Sequence, residues 1–240
     1  MNIAVREWQH QARQPLGVLD SDSIHIWQWR HEAAFAQNDD TYGPLSPDER
    51  ARAARFLAER PRREYVATRS TLRQILGQYL NAPPERLGFR YSERGKPSLV
   101  DDPKISFNVS HSGDLSVLAV TCGRDIGVDV EWVRADVEAA ALAARFFSRH
   151  ERERLLRLHG GEITQAFFRC WTRKEAYIKA RGDGLSLALD SFDVSLDPGA
   201  ASALLHTRPD PEEARKWVVR DLGLPVGFAA AVAWSAAPSS

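Results

Sequence analysis

The pattern of apolar and polar positions predicts helices followed by strands, and this order occurs twice along the chain. In the first half, a strand-like run at residues 23–30 precedes two helical segments, LSPDERARAARFLAERP and RREYVATRSTLRQILGQYL. In the second half, RADVEAAALAARFF, SRHERERLLRL and ITQAFFRCWTRKEAYIKARG have helical spacing, and short alternating runs follow them. The chain contains no sequence repeat. The order of elements alone predicts an α+β protein built from two related sub-structures.

Two of the predicted helices carry the same start signal. Ser46 and Ser148 each precede a helical segment, and Glu49 and Glu151 stand three residues later. A serine that accepts from the third helical amide, with a glutamate that reaches back, forms a capping box. Pro47 also suits the first helical position because its missing N–H would have no partner there. We expect helices to begin directly after both serines.

The second helix of the first half carries basic residues on one line. Arg62, Arg69 and Arg73 recur at helical spacing, beside an apolar stripe that includes Leu72 and Leu76. A row of arginines on an amphipathic helix is most often a solvated face. From the pattern alone, this row is therefore interpreted as solvent-exposed.

Three strand-like runs follow in quick succession: KISFNVS, LSVLAVT and IGVDVE. Only HSGD and CGRD separate them, and connections this short favour an antiparallel meander. In IGVDVE, residues 126–131, the alternation of a strand puts the aliphatic side chains on one face and Gly127, Asp129 and Glu131 on the other. We expect the glycine to leave open space beside the two acids. A solvated polar face is the alternative interpretation, although adjacent carboxylates repel unless a cation or proton lies between them.

Composition narrows the class of protein. The chain has 240 residues, 43% of them hydrophobic, and a formal net charge of zero. This balance argues against bulk electrostatic binding to nucleic acid or to a membrane. The first ten residues do not have the basic and then apolar pattern of a signal segment, and we expect no membrane span because no apolar run is long enough. Cys122 and Cys170 lack metal-binding spacing, so we expect reduced thiols and a cytoplasmic protein.

The helix CWTRKEAYIKARGDGL offers a third acid. Glu175 and Lys179 are four residues apart and share a helix face, which is most often only an exposed ion pair. If Glu175 lies near Asp129 and Glu131, the three acids form an oxygen site suited to Mg²⁺. Lys179, one turn further on, could then hold a phosphate that the metal also contacts.

The segment FNVSHSGD is the other candidate for chemistry. Ser110 and His111 stand at the end of a predicted strand. They fit three interpretations: a nucleophile with its base, for which no orienting acid is recognisable; a plain polar hairpin; or a turn that binds an anion such as phosphate.

Taken in order, RGKPSL, FNVSHSG, IGVDVE, FFSRHE and WTRKEAYIKARGDGL resemble the 4′-phosphopantetheinyl transferases of the surfactin-synthetase-activating (Sfp) type. The resemblance covers about four-fifths of the chain. It implies transfer of the phosphopantetheine arm of the substrate coenzyme A to a serine of an apo carrier protein, with release of adenosine 3′,5′-bisphosphate. It also implies Mg²⁺ as the metal, with Mn²⁺ as an alternative ion.

The resemblance assigns roles to the acids and to Lys179. Asp129 and Glu175 are implied Mg²⁺ ligands, with Glu131 binding directly or through water. Glu175 is also an implied base for the carrier serine, although a group bound to metal is a poor base. Lys179 is expected to contact the phosphate. Lys174 directly precedes Glu175, points about 100° away from it around the helix and is a weaker candidate.

The resemblance also implies a set of contacts to coenzyme A. Ser110 and His111 correspond to contacts with the nucleotide phosphates, and Gly95, Lys96 and Pro97 to the segment beside the adenine. Relatives carry lysines for the 3′-phosphate where this chain has Glu49 and Arg52, and the glutamate cannot do that work. The basic candidates for this phosphate are Arg52, Arg62 and Arg63.

The implied fold is a pseudo-dimer of two α+β halves in one chain, with the active site in the cleft between them. We expect residues 1–118 to form the nucleotide side and residues 119–240 to supply the metal and catalytic residues. A monomer is expected because the second half takes the place of a partner subunit. Two other functions remain open: a Mg²⁺-dependent coenzyme A pyrophosphatase, and a non-catalytic coenzyme A-binding module.

Overall fold

The structure is a computed structural model that describes residues 1–10, 16–36 and 40–237. Within these ranges it contains strands, α-helices and a few short 3₁₀ turns. The strands are β1 (Asn2–Glu7), β2 (Ser23–Arg30), β3 (Phe89–Tyr91), β4 (Pro97–Leu99), β5 (Ile105–Ser112), β6 (Leu115–Cys122), β7 (Ile126–Trp132), β8 (Phe192–Val194), β9 (Leu204–Thr207), β10 (Trp217–Asp221) and β11 (Phe228–Ser235). The helices are α1 (His31–Ala36), α2 (Pro47–Ala54), α3 (Glu59–Leu80), α4 (Ala139–Phe146), α5 (Arg149–Leu155) and α6 (Gly161–Arg181).

The two halves have the same topology. In each, a strand is followed by two short helices, one long helix, a small hairpin and two further strands. The sheet order β2-β6-β5 in the first half corresponds to β7-β11-β10 in the second, with β1 added at the edge of the first sheet. The predicted α+β class is confirmed, and this repeated order fits the predicted pseudo-dimer. The predicted division between residues 118 and 119 falls within β6.

Both capping boxes form as predicted. Ser46 accepts from the amide of Glu49 at the start of α2, and Ser148 accepts from the amide of Glu151 at the start of α5. The predicted first helix is interrupted, however, because α2 ends at Ala54 and α3 begins at Glu59. In between, the ring of Phe56 packs against a tyrosine of α3 at 5.3 Å, which turns the chain.

The predicted three-stranded meander is correct for β5 and β6, which pair antiparallel, and wrong for β7. Strand β7 pairs with β11 in the other sheet. It nevertheless runs beside β5, where the side-chain oxygen of Asn108 accepts from the amide of Val128 at 2.9 Å. Side chains therefore join the two sheets where the halves of the molecule meet.

The alternation within β7 is confirmed, but its glycine does not leave open space. The aliphatic side chains of β7 are buried in a core shared with β2, β6 and β11. On the opposite face, a β-carbon on Gly127 would lie 2.3 Å from both the carbonyl oxygen of Ala176 and the amide of Ala180. Helix α6 fills the space because the missing side chain lets its backbone pack directly on the strand. This contact brings Glu175 and Lys179 to the acids of β7.

The interpretation of the arginine row as solvated is wrong for two of its members. The side chains of Arg73 and Arg69 are only 3% and 12% exposed, and both pair with Glu49 of α2. Burial opposes ionisation of Glu49, but the two guanidinium groups outweigh it and lower the pKa of this carboxyl. Arg62 is more exposed and pairs with Glu59 one turn earlier. Arg69 and Arg73 of this row thus join α3 to Glu49 of α2.

Cys122 and Cys170 are free thiols, as predicted. None of the helices in the described ranges is both long and apolar enough to cross a bilayer.

Candidate active site between the two halves

Asp129 lies at the centre of a polar cluster built from three elements. Its Oδ1 accepts from Nζ of Lys179 at 2.6 Å and from the hydroxyl of Ser110 at 3.0 Å. The ammonium also donates to that hydroxyl at 3.0 Å, which closes a triangle. Strand β5 supplies the serine, β7 the acid and α6 the lysine. Three segments that are distant in sequence therefore meet at the junction of the halves.

Glu131 continues the same row along β7. Its Oε2 accepts from the hydroxyl of Ser112 at 2.9 Å, and this hydroxyl in turn accepts from the amide of Trp132 at 3.0 Å. Alternate residues of β5, namely Asn108, Ser110 and Ser112, thus bind successive parts of β7. These hydroxyls keep the carboxylates oriented along the seam between the sheets.

The three acids perturb one another. Burial raises the pKa of Asp129, although Lys179 and Ser110 counteract this rise. Burial, and then the charge of Asp129, raise the pKa of Glu131 and also the pKa of Glu175. Negative charge on these carboxylates is therefore unfavourable without further positive charge. Clusters of perturbed acids in a cleft are typical of functional sites.

A cavity of about 640 Å³ adjoins this cluster. Glu175 and Lys179 line it from α6, and the turn Gly95, Lys96 and Pro97 lines it from the first half. Its volume lies in the range of small-molecule sites, roughly 300–1,000 Å³. The structure thus brings five of the residues singled out from the sequence to one cavity between the halves.

The Gly-Lys-Pro turn is fastened to the end of α6. Nζ of Lys96 donates to the carbonyl oxygen of Ala180 at 2.5 Å, and Arg94 pairs with Asp183 at 2.7 Å. Gly182, in the left-handed region at φ 77°, ends the helix, and a β-carbon there would lie 3.2 Å from the stem of Lys96. The ammonium neutralises the negative end of the helix. The two sequence motifs RGKPSL and KARGDGL therefore contact each other.

The arrangement fits a hard cation only in part. Within residues 1–10, 16–36 and 40–237, no three His, Cys, Asp or Glu side chains are gathered as a ready metal site. Lys179 takes up one oxygen of Asp129, whereas the other, Oδ2, is buried and has no hydrogen-bond partner. An orphaned buried carboxylate oxygen is unfavourable unless something binds it. Oδ2 of Asp129 is therefore the one observation at this cluster that fits an oxygen ligand waiting for a divalent ion.

The predicted phosphate contacts of the first half are more dispersed. His111 follows Ser110 on β5, and its ring lies 6.0 Å from that of the buried His31. Arg52 stacks on the ring of Tyr65 at 5.2 Å, and neither Arg52 nor Arg62 is among the described residues that line the cavity. By contrast, Arg63 lines a second cavity of about 530 Å³ together with His31.

Some residues of the site escaped the sequence analysis. Asn108 and Ser112 lie in the motif FNVSHSG, but their contacts to β7 depend on the packing of two sheets. Arg94 and Arg145 line the cavity from opposite halves. Lys174, a weaker candidate from its position on the helix, is fully buried and does not face the cavity.

Comparisons with known proteins identify the family of the chain. The family described as 4′-phosphopantetheinyl transferase superfamily matches residues 125–233, and the family described as 4′-phosphopantetheinyl transferase, N-terminal, matches residues 30–123. The 4′-phosphopantetheinyl transferase HetI of Nostoc is 41% identical over 80% of this chain and 81% of its own length. A putative 4′-phosphopantetheinyl transferase of Synechocystis is 32% identical, with 79% of each chain covered. Sfp of Bacillus subtilis is 34% identical over 63% of this chain and 66% of its own.

The identity to HetI extends over about four-fifths of both chains and therefore shows the family. The two family matches cover residues 30–123 and 125–233, which correspond to the two halves of the repeated topology. The chain therefore belongs to the 4′-phosphopantetheinyl transferase superfamily, and it is a transferase of the Sfp type.

Proposed function

We propose that this transferase moves the 4′-phosphopantetheine arm of coenzyme A to a serine of an apo carrier protein and releases adenosine 3′,5′-bisphosphate. The observation that carries the proposal is the cavity between the halves. It combines the Gly-Lys-Pro turn on one side with Glu175 and Lys179 on the other, directly beside Asp129. The family relationship supports the reaction class, and the cavity supports the location.

The charge of the cavity suits a polyanionic substrate. Arg94, Lys96, Arg145 and Lys179 line it, against two acids, Glu175 and Asp190. We propose that Gly95, Lys96 and Pro97 border the adenine mainly through backbone groups, because the ammonium of Lys96 is already bound to α6. Ser110 and His111 are the proposed contacts of the nucleotide phosphates. For the 3′-phosphate, the proposed basic contacts stay Arg52, Arg62 and Arg63, none of which is among the described residues that line this cavity.

Asp129, Glu131 and Glu175 would hold the divalent ion, for which we propose Mg²⁺ with Mn²⁺ as the alternative. When bound, such an ion supplies charge neutralisation at the pyrophosphate. Lys179 lies 2.6 Å from Asp129 and also lines the cavity. It is therefore placed to donate to a phosphate oxygen at the rim of the acidic cluster and to stabilise negative charge on the leaving side.

Removal of the proton from the carrier serine requires a base near the cavity. Glu175 lines the cavity, and burial, followed by the charge of Asp129, raises its pKa. A carboxylate whose pKa is raised toward the working pH is a better proton acceptor than an ordinary one. We propose that Glu175 takes the proton directly or through a water, a role that competes with its role as a metal ligand because a carboxylate bound to a metal ion is a poor base.

The remaining assignments follow from the same arrangement. The first half supplies the nucleotide side and the second half the acids and Lys179. We propose to draw the division between β6 and β7, at residues 123–125, instead of after residue 118.

A monomer is proposed because both halves of the site come from one chain. A cytoplasmic location, without nucleic acid or membrane as a partner, is proposed from the neutral net charge and the free thiols.

The test is the dependence of product release on the carrier. Enzyme, coenzyme A and Mg²⁺ are incubated with and without a panel of apo carrier proteins, and adenosine 3′,5′-bisphosphate is quantified by chromatography. We expect release only when a competent carrier is present, and none with a carrier whose acceptor serine is replaced by alanine. Release at the same rate without carrier would instead indicate a pyrophosphatase. Binding of coenzyme A without any turnover would indicate a binding module.

A further inference from the structure

Lys174, directly before Glu175, is fully buried, and its hydrogen-bonding capacity is exhausted within the protein. An ammonium has three N–H donors. Those of Lys174 have three acceptors: Oε1 of Glu151 at 2.8 Å, the carbonyl oxygen of Leu189 at 2.7 Å and that of Phe192 at 2.8 Å. The ammonium also lies 4.2 Å from the centroid of the Phe192 ring. No donor remains for a ligand.

Both carboxylate oxygens of Glu151 are likewise hydrogen-bonded within the protein. Its Oε2 accepts from the amide of Ser148 in the capping box of α5, and its Oε1 accepts from the amide of Val194 in β8. Lys174 and Glu151 are both 0% exposed. The ion pair of Lys174 and Glu151 thus connects the start of α5, the middle of α6 and strand β8.

The first half contains the same device. Glu49, the capping-box acid of α2, pairs with Arg73 of α3, and Arg73 donates to the carbonyl oxygens of Pro84 and Leu87 at 2.8 and 3.1 Å. These carbonyls are three residues apart, as in the second half, and Arg73 stacks on the ring of Phe89 at 4.9 Å. Each half thus contains the same four features: a glutamate of a capping box, a cation on the long helix, two backbone carbonyls that the cation binds, and an aromatic ring on the following strand. The three acids proposed to hold the metal ion all lie in the second half, so an arrangement that occurs in both halves serves the framework of the fold.

In the second half, the loop held by this device belongs to the cavity. Residues 187–190 form part of the cavity wall, and Leu189 is the residue whose carbonyl Lys174 binds. We propose that Lys174 and Glu151 are a positioning pair that holds residues 187–190 against α6 and so sets the shape of the coenzyme A cavity opposite the Gly-Lys-Pro turn. The pair acts through this wall and touches no substrate. The inference rests on the proposed function only in taking coenzyme A as the ligand.

A double variant separates positioning from stability. Lys174→Met/Glu151→Gln removes both charges, so that no unpaired ion stays buried. The matched control is Arg173→Met/Asp221→Asn on the neighbouring position of α6. Arg173 is also fully buried and binds Asp221 and the carbonyl oxygens of Ser195 and Asp197, none of which lies in the cavity wall. For each variant, the melting temperature and the KM and kcat for coenzyme A are measured.

We expect the KM of Lys174→Met/Glu151→Gln to rise about tenfold while kcat stays within about threefold, because the wall acts on binding. The control should lose thermal stability with its KM within about twofold of the wild type. Equal KM increases in both double variants would overturn the proposal, and so would a wild-type KM in Lys174→Met/Glu151→Gln. If the wild type transfers no arm at all, the proposed function fails instead, and the two failures are distinct.

A measurement on the wild-type protein covers the case in which the variants do not fold. Hydrogen exchange of the ligand-free protein reports directly on the anchored segment. We expect the amides of Ser191 and Val194, which donate to the carbonyl oxygen of Ala188 at 3.0 Å and to Glu151 at 2.8 Å, to exchange as slowly as those of the core strand β7. Exchange of this segment at the rate of an unstructured loop would contradict the proposed anchoring.

Discussion

Gly127 packs directly against the backbone of Ala176. A β-carbon on the glycine would lie 2.3 Å from the carbonyl oxygen of that alanine, well inside van der Waals contact. The contact explains how two motifs that are nearly fifty residues apart form one site, because it fixes α6 on the polar face of β7. Gly127 lies two residues before Asp129, on the same face of β7. It thus determines the distance between the acids of β7 and residues Glu175 and Lys179 of α6.

Replacement of Gly127 by alanine is expected to push α6 away from β7. The added methyl group meets backbone atoms on both sides, so neither can yield without moving the helix, and overpacking of this kind costs about 3 kcal/mol of unfolding free energy. Activity should fall together with stability in denaturant titrations and transfer assays. The control is Gly161→Ala at the start of α6, where a β-carbon meets no atom within 4 Å. A Gly127→Ala enzyme with wild-type stability and activity would refute the role of this contact.

Lys179→Ala is expected to lower kcat by roughly 100-fold and to weaken coenzyme A binding much less. The ammonium lies between Asp129 and the cavity, where it meets charge that develops on the leaving phosphate. Steady-state kinetics combined with calorimetric titration of coenzyme A separate the two effects. Equal losses in kcat and in binding would mean that Lys179 binds substrate and transition state alike.

Lys96→Met is expected to raise the KM for coenzyme A by about tenfold with a smaller change in kcat. The substitution keeps the length of the side chain but removes the donor to the carbonyl oxygen of Ala180, so that, of the two described hydrogen bonds, only the pair of Arg94 and Asp183 still attaches the adenine-side turn to the end of α6. Lys104→Met is the control, since Lys104 is exposed and lies outside the residues that line the cavity. An unchanged KM in Lys96→Met would show that this attachment does not shape the cavity.

His31 makes the stability of the fold dependent on pH. Burial, and then the charge of His111, lower the pKa of His31 from 6.5 to about 4, and its Nε2 lies 2.8 Å from the hydroxyl of Ser116. Since the folded pKa is below the unfolded one, the neutral ring is favoured by folding. This stability is fully present above pH 6.5 and is lost as the pH falls toward 4. The shift corresponds to roughly 3 kcal/mol.

Denaturant unfolding of the wild type and of His31→Gln between pH 7 and pH 4 tests this dependence. The difference in unfolding free energy between the two proteins should shrink as the pH falls through this window. A difference that stays constant with pH would mean that His31 does not titrate with a lowered pKa.

Local signals were sufficient for much of the fold. The capping boxes at Ser46 and Ser148, the alternation of β7 and the end of α6 at Gly182 were all predicted correctly, because each depends on residues within one or two turns. The motifs likewise identified residues that meet at one cavity, including Lys96, Glu175 and Lys179.

Features that depend on contacts distant in sequence were not predictable. The pairing of β7 with β11 requires a strand almost one hundred residues later, and short connections suggested β6 instead. The burial of Arg73 depends on Glu49 and on carbonyls beyond the end of α3. Helix position predicted that Lys174 would lie away from the site, but its complete burial against Glu151 and the carbonyl oxygens of Leu189 and Phe192 depends on contacts distant in sequence.

The central claim is that Asp129, Glu131 and Glu175 hold one divalent ion at the junction of the halves, and it is tested most directly by metal binding. Electron paramagnetic resonance titration with Mn²⁺ in the presence of coenzyme A compares the wild type with Asp129→Asn. We expect one bound ion per wild-type chain, and an affinity at least about tenfold weaker in the variant with a parallel loss of transfer. Equal Mn²⁺ affinity in both proteins, or transfer by the wild type that persists in excess chelator, would contradict the account.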